Sequence, residues 1–272
     1  MDVAALRAEI DVDALRARAH DTGPWPRLDV VDETGSTNAD LVARARRGER
    51  VNGAVLVADY QNQGRGRHGR TWSAPPRSQL SVSVGVDASS VPVDGWGWLP
   101  LVCGVAVVDL LHGLTGINAR LKWPNDVLVD GRKLAGILAE VATPAASVVV
   151  GIGLNVTLTD DELPVPNATS LMLLDSPILD RTVLLSTLLQ SLATRVGAWQ
   201  AAHGVDATLI DDYRRCSATL GERVRVHLPD GSEIVGRAID LDESGRLVVD
   251  VGDRCVPLAA GDVTHLRVAE TS

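Results

Sequence analysis

The sequence contains no phenylalanine, and aromatic residues make up 3% of it. Val, Leu, Ile and Ala must therefore fill the interior, a choice that carries no message about function. Cysteine is scarce: Cys103, Cys216 and Cys255 are odd in number, far apart and without a CxxC pair. Such a set offers no disulfide framework and no zinc site, and reads as reduced thiols of a cytoplasmic protein. Positive charge is in deficit, with 26 Lys and Arg against 35 Asp and Glu, a net charge of -9 and a pI near 5.1. That balance argues against bulk affinity for nucleic acid, whose phosphates are bound chiefly by lysine and arginine. An unbroken apolar run of the ~18 residues that a membrane span needs does not occur. The opening stretch MDVAALRAEIDVDALRARAHD scatters acids and arginines where a signal peptide would need an apolar core. The sequence also lacks a GxSxG elbow, an HExxH pair and a GxxxxGK[ST] loop, which leaves serine-hydrolase, zinc and P-loop chemistry without support.

What is present suits a soluble globular chain. At 272 residues, 45% of them hydrophobic and 22% charged, there is material for one large domain and a small second one. Residues 11 to 20 read as a short amphipathic helix broken by TGPWP at 22 to 26. LDVVDETGSTNADLVARARRGE reads as strand, turn and a helix starting near Ser36 or Thr37, and AVLVADY and QLSVSVGVD as strands. Residues 96 to 114 are apolar and largely free of breakers, the pattern of a buried helix. RLKWPNDVLVDGRKLAGILAEVA predicts a strand, a proline-marked turn and a hairpin turning at Asp130-Gly131, and SVVVGIGLNV a further buried strand. Helical patterns cover 180 to 202 and 205 to 216, after which short β-rich segments at close spacing predict a small barrel. The expected boundary lies near 220, giving domains 1–219 and 220–272, the first opening with a short helical cap on the core.

The chemistry concentrates in five stretches. In QNQGRGRHGR at 61 to 70, glycines let backbone N–H groups approach a ligand while Arg65, Arg67 and Arg70 supply fixed cationic forks. Together these make a nest for phosphate or carboxylate oxygens. A solvated loop or an RNA-binding patch is the plainer alternative. Mutual repulsion gives such a loop little reason to settle on its own. GSTNAD predicts Thr37 as helix N-cap with Asp40 as its capping-box partner, an end that could also present Ser36 and Asn38 to a small polar ligand. KWPND at 122 to 126 joins Lys122, an aromatic, a turn proline, Asn125 and Asp126; the last two are often mere turn partners, but a turn rarely needs the lysine as well. Lys133 precedes an apolar strand whose Gly136 lets a ligand lie against the backbone. GIGLN at 151 to 155 ends a buried strand with glycines and an amide, without the dinucleotide fingerprint.

Taken in order, GSTN, YQNQGRGRHGR, KWPND, GRKLAGILAE and GIGLNV resemble the biotin protein ligases. The motifs span roughly residues 28 to 160, and the β segment after 220 resembles the SH3-like C-terminal domain of that family. The resemblance implies an α+β fold with a mixed β-sheet flanked by helices, related to class II aminoacyl-tRNA synthetases and lipoate ligases. It implies ATP with Mg²⁺ carried on the nucleotide, biotin as substrate, and a biotin carboxyl carrier domain as acceptor. It assigns Ser36, Thr37, Asn38, Gln61, Gly64, Arg65, Arg67, Lys133 and Gly136 to biotin, and Arg67, Arg70, Trp72, Lys122, Asn125, Lys133 and Asn155 to ATP or AMP. Arg67, Lys133 and Asp126 are the expected catalytic groups, and no metal-ligating residue or role for His68 is assigned. About 35 residues precede GSTN, too few for the winged helix-turn-helix of bifunctional repressor members together with the first core strand. A monofunctional ligase binding neither DNA nor membrane is therefore expected. The rivals are a lipoate or octanoate ligase of the same superfamily, which would need a long apolar slot, and a biotin-responsive DNA-binding regulator.

Overall fold

The computed structural model describes residues 3–17, 24–143 and 146–266. Two short helices, α1 (Val3–Leu6) and α2 (Val12–Ala17), precede the first strand; of the helix expected over 11 to 20, Asp11 stands just ahead of α2 and accepts from Ala14 N–H, and 18 to 20 lie outside the described residues. Ion pairs of buried Asp59 with Arg77 and Arg181 anchor this opening segment from below: Arg77 reaches on to Glu9, and Arg181 donates to the Ala8 carbonyl at 2.7 Å.

The large sheet contains β1 (Arg27–Thr34), β2 (Ala54–Gln61), β3 (Gln79–Asp87), β4 (Arg120–Lys122), β5 (Asp126–Val129), β6 (Arg132–Ala142) and β7 (Ser147–Asn155). Its order is β1-β2-β3-β7-β6-β5-β4. β1 and β2 run parallel because helix α3 (Thr37–Arg46) crosses between them; every other neighbouring pair is antiparallel. The sheet is thus mixed, as expected. Asp130 and Gly131 turn the β5–β6 hairpin, both at positive φ (49° and 75°), the geometry that a type I′ turn demands.

Period-two alternation sends the two faces of the sheet to different fates. Val55, Val57, Leu80, Val82, Val84, Val150, Ile152 and Leu154 join the main core beneath α4 (Leu99–Thr115) and α5 (Arg181–Ala201). Leu56 and Val149 face the other way, with Leu41, Val42 and Ala45 of α3. α4 starts three residues later than the apolar pattern predicts, since Val93–Trp98 winds as a 3₁₀ turn ahead of it. The combined segment Val93–Thr115 is apolar enough to cross a bilayer by composition, yet it is mostly buried inside the fold. It is a core helix.

After α6 (Ala207–Cys216), strands β8 (Arg223–His227), β9 (Glu233–Leu241), β10 (Leu247–Asp250), β11 (Cys255–Leu258) and β12 (Asp262–His265) form a separate antiparallel sheet in the order β11-β10-β9-β8-β12. This agrees with the small SH3-like module expected at the C-terminus. Two indoles hold it against the large sheet: Trp98 Nε1 donates to the Asp242 carbonyl at 3.0 Å and Trp123 Nε1 to the Gly245 carbonyl at 3.1 Å. Gly97 permits this closeness, because a Cβ there would lie 2.3 Å from the Ser244 carbonyl oxygen.

Gly97→Ala should therefore cost about 1–3 kcal/mol by forcing the two sheets apart. Gly113→Ala, in the last turn of α4 with open space around it, should instead stabilise by up to about 0.5–1 kcal/mol. Thermal denaturation of the two variants checks both signs.

Candidate active site

One face of the large sheet is low and polar over part of its width. Along β3 the residues between the core valines are Ser81 and Ser83, and along β7 they are Gly151, Gly153 and Asn155. Gly136 on β6 stands opposite Gly153. At these positions small and polar residues occupy this face, beside Leu138 and Val149, where the other face carries Val, Ile and Leu. The resulting cavity has a volume of about 450 Å³, in the range of small-molecule sites. All the site residues expected from the sequence line it except Gly64. Gly64 acts from behind: a Cβ there would lie 2.2 Å from the Trp72 carbonyl oxygen, and its own carbonyl accepts from Trp72 N–H at 2.9 Å. It closes the base of the loop.

At one end of the cavity lies a buried, uncharged polar network with one carboxylate at its rim. Ser36, not Thr37, caps α3, accepting from Ala39 N–H at 3.4 Å. Asp40 forms no capping box and accepts instead from Thr34 Oγ1 at 2.5 Å. The reason is that Thr37 is drawn into tertiary bonds, its N–H and hydroxyl both donating to Gln61 Oε1 at 2.9 and 3.0 Å. Ser83 Oγ lies 2.7 Å from both Thr37 Oγ1 and Asn38 Oδ1, and Asn38 Nδ2 donates to the Leu138 carbonyl and to Glu140 Oε2. Gly151 makes room, since a Cβ there would meet Asn38 Oδ1 at 2.4 Å. Sequence reasoning missed Ser83 and Gly151. The signal was the Ser/Val and Gly/Ile alternation, read only as evidence for strands.

At the other end stand Arg65, Arg67, Arg70, Lys122 and Lys133, with Asp126 and Asp262 as the acidic members of the wall. The hairpin register sets Lys122 across from Asp126, and the next hairpin brings Lys133 Nζ to 2.5 Å from Asp126 Oδ1, at ion-pair distance but off the hydrogen-bond line. Arg67 Nη1 donates to Asn125 Oδ1 at 3.4 Å, while Asn125 Nδ2 donates to the Ile137 carbonyl. Burial holds the Arg67 guanidinium below its ordinary value, against the pull of Asp262 and Asp126. Burial lowers Lys122 too, with Asp126 opposing and Lys133 adding repulsion. Cations made uncomfortable in this way gain when an anion joins them.

The loop between β2 and β3 folds back on itself. Gly66 N–H donates to the Arg70 carbonyl at 2.7 Å, and His68 and Gly69 turn it at positive φ (54° and 73°). It delivers Trp72 onto the floor of the cavity, where the indole crosses Gly153 and Gly136 with Lys133 Nζ 5.3 Å from its ring centroid. Asn155 at the floor's end accepts from Gln79 Nε2 and donates to the Thr169 carbonyl. Gly153→Ala would put a Cβ 2.4 Å from the Trp72 ring and should displace it. A shift in tryptophan emission that disappears in a Trp72→Phe background checks this.

Comparison with known proteins agrees with this architecture. Residues 31–156 match the Biotin/lipoate A/B protein ligase family, and residues 219–266 match the Biotin protein ligase C terminal domain. The chain is 50% identical over 266 residues to the biotin--[acetyl-CoA-carboxylase] ligase of Mycobacterium tuberculosis, covering 96% of this chain and 98% of that one. It is 32% identical over 254 residues to the bifunctional ligase/repressor BirA of Escherichia coli, covering 92% of this chain and 76% of that one. Its fold is similar to that of the biotin protein ligase from Aquifex aeolicus solved in complex with biotin and ATP, with a TM-score of 0.76 and 27% identity, covering 89% of this chain and all of that one. With a ligand face, a cation cluster and two family domains in one chain, the protein belongs to the biotin protein ligase family.

Proposed function

We propose that the protein is an ATP-dependent biotin ligase acting in the cytoplasm, which joins the biotin carboxylate to AMP and then passes biotin to one lysine of a biotin carboxyl carrier domain. The observation that carries this reading is the pairing, in one cavity, of the network around Thr37, Asn38 and Gln61 with the cluster of Arg65, Arg67, Arg70, Lys122 and Lys133. A ureido ring offers one carbonyl and two N–H groups and needs both donors and acceptors, which the first end supplies. A carboxylate and a triphosphate repel, and the second end supplies the charge to hold them together. The 50% identity to a relative named for acetyl-CoA carboxylase supports the choice of acceptor.

In the first step a biotin carboxylate oxygen attacks the α-phosphorus of ATP, a mixed anhydride bond forms, and pyrophosphate leaves with the electron pair of the broken P–O bond. Arg67 and Lys133 stand where charge moves from carboxylate toward pyrophosphate, and Arg70 and Lys122 flank them. Asp126 holds the Lys133 ammonium at 2.5 Å and so aims it. Trp72 offers an apolar surface for the adenylate, and Asn125 and Asn155 frame the nucleotide. In the second step the uncharged lysine amine of the acceptor attacks the anhydride carbonyl, AMP leaves, and the amine proton passes to solvent or base. Mg²⁺ would neutralise phosphate charge. Mg²⁺ takes one or two carboxylates together with phosphate oxygens; Asp126 and Asp262 are the carboxylates of the wall, each beside a cation, and would be the residues able to join a metal carried on the nucleotide.

Pyrophosphate exchange into ATP should occur with biotin and not with lipoate, octanoate or no added acid. Exchange with lipoate or octanoate would move the substrate while keeping the chemistry, and no exchange with any acid would sink the reading. Thr37→Ala and Gln61→Ala should each raise the KM for biotin roughly 10- to 100-fold, the cost of leaving a buried polar partner unpaired, with ATP binding nearly unchanged.

A further inference from the structure

The C-terminal sheet reaches the cavity through β12, whose Asp262, Val263 and Thr264 belong to its wall. Asp262 forms an ion pair with Arg70 at the far end of the glycine-arginine loop, and its charge also acts on Arg67 and Lys122. The two sides of the Arg70 pair are not equally fixed. Asp262 sits in a ladder with His227 of β8, in a sheet docked by the indoles of Trp98 and Trp123 and by the Arg214–Asp240 ion pair at 2.6 Å. Arg70 is on a loop with glycines at 64, 66 and 69, its side chain 65% exposed against 36% for Asp262. The carboxylate is the anchor, and the guanidinium is the part that can leave.

A carboxylate and a phosphate compete for the same fork of N–H donors. We propose that Asp262 is a positioning residue: a built-in anion that parks Arg70, and with it the loop, on the C-terminal sheet, until a phosphate group in the cavity takes Arg70 from it. This rests on the reading of the cation cluster as a phosphate site. The C-terminal sheet thereby holds Arg70 back from a ligand in proportion to one ion pair. An exposed pair of this kind shifts an equilibrium by up to about fivefold, small enough for a triphosphate to override.

The test compares the full chain with Asp262→Asn, Arg70→Ala and the double variant in two assays. In the first, trypsin cleavage after Arg65 and Arg67 is timed without nucleotide; in the second, ATP and inorganic pyrophosphate are titrated calorimetrically. Asp262→Asn should speed cleavage and tighten binding of both ligands about two- to fivefold; when Arg70 is already alanine the cleavage effect should vanish and the binding effect should shrink to what the charge of Asp262 exerts on Arg67 and Lys122. Unchanged cleavage, weaker binding in Asp262→Asn, or an equal Asp262→Asn effect with and without Arg70 would overturn the proposal. A wild-type chain that binds neither ligand would count against the phosphate reading itself, while the cleavage arm would still decide whether Asp262 parks the loop.

Discussion

Mutual repulsion among Arg65, Arg67, Arg70, Lys122 and Lys133 is the constraint on which the rest of the site depends. Gathering them beside one cavity of a chain with net charge -9 is costly, and the lowered pKa values of Arg67 and Lys122 mark where burial makes it costliest. Two carboxylates keep the cluster standing. Asp126 is local, brought to Lys133 by two successive hairpins. Asp262 is remote, contributed by a different sheet. The cluster is left with a surplus of positive charge, the electrostatic basis for drawing in a polyanion.

The opposite end of the cavity solves a different problem. In the proposed reading this end recognises an uncharged ureido ring by hydrogen bonds alone, and those are selective only if the protein's own groups are fixed before the ligand arrives. The chain from Gln61 through Thr37, Ser83 and Asn38 to Glu140 does this with groups drawn from α3 and strands β2, β3 and β6. The absent side chains of Gly136, Gly151 and Gly153 give that network and the Trp72 indole their space. Bulkier residues on this face would leave the sheet intact and fill the cavity.

The strands, the long helices and the two-part organisation were legible in the sequence, because each rests on local periodicity and turn chemistry: the Asp130-Gly131 hairpin, the alternation of β3, the apolar run of α4. Helix starts were less legible. Thr37 has the chemistry of a cap, but Gln61 lies 24 residues away and takes both of its donors, leaving Ser36 to cap. The same blindness to distant partners hid the carboxylate that meets Arg70, which is 192 residues further on.

By itself the sequence determined which residues carry charge and polarity toward a ligand and in what local setting, because residue type and spacing fix strand faces, turns and the motifs that resemble a ligase. Tertiary structure alone decided which of them share a cavity. It folded Gly64 behind the wall, raised Ser83 and Gly151 to partners of Asn38, laid Trp72 across two facing glycines and brought Asp262 to Arg70. The physical reason is that hydrogen bonds and ion pairs act over a few ångströms of space, and only the packing of the two sheets converts separations along the chain into such distances.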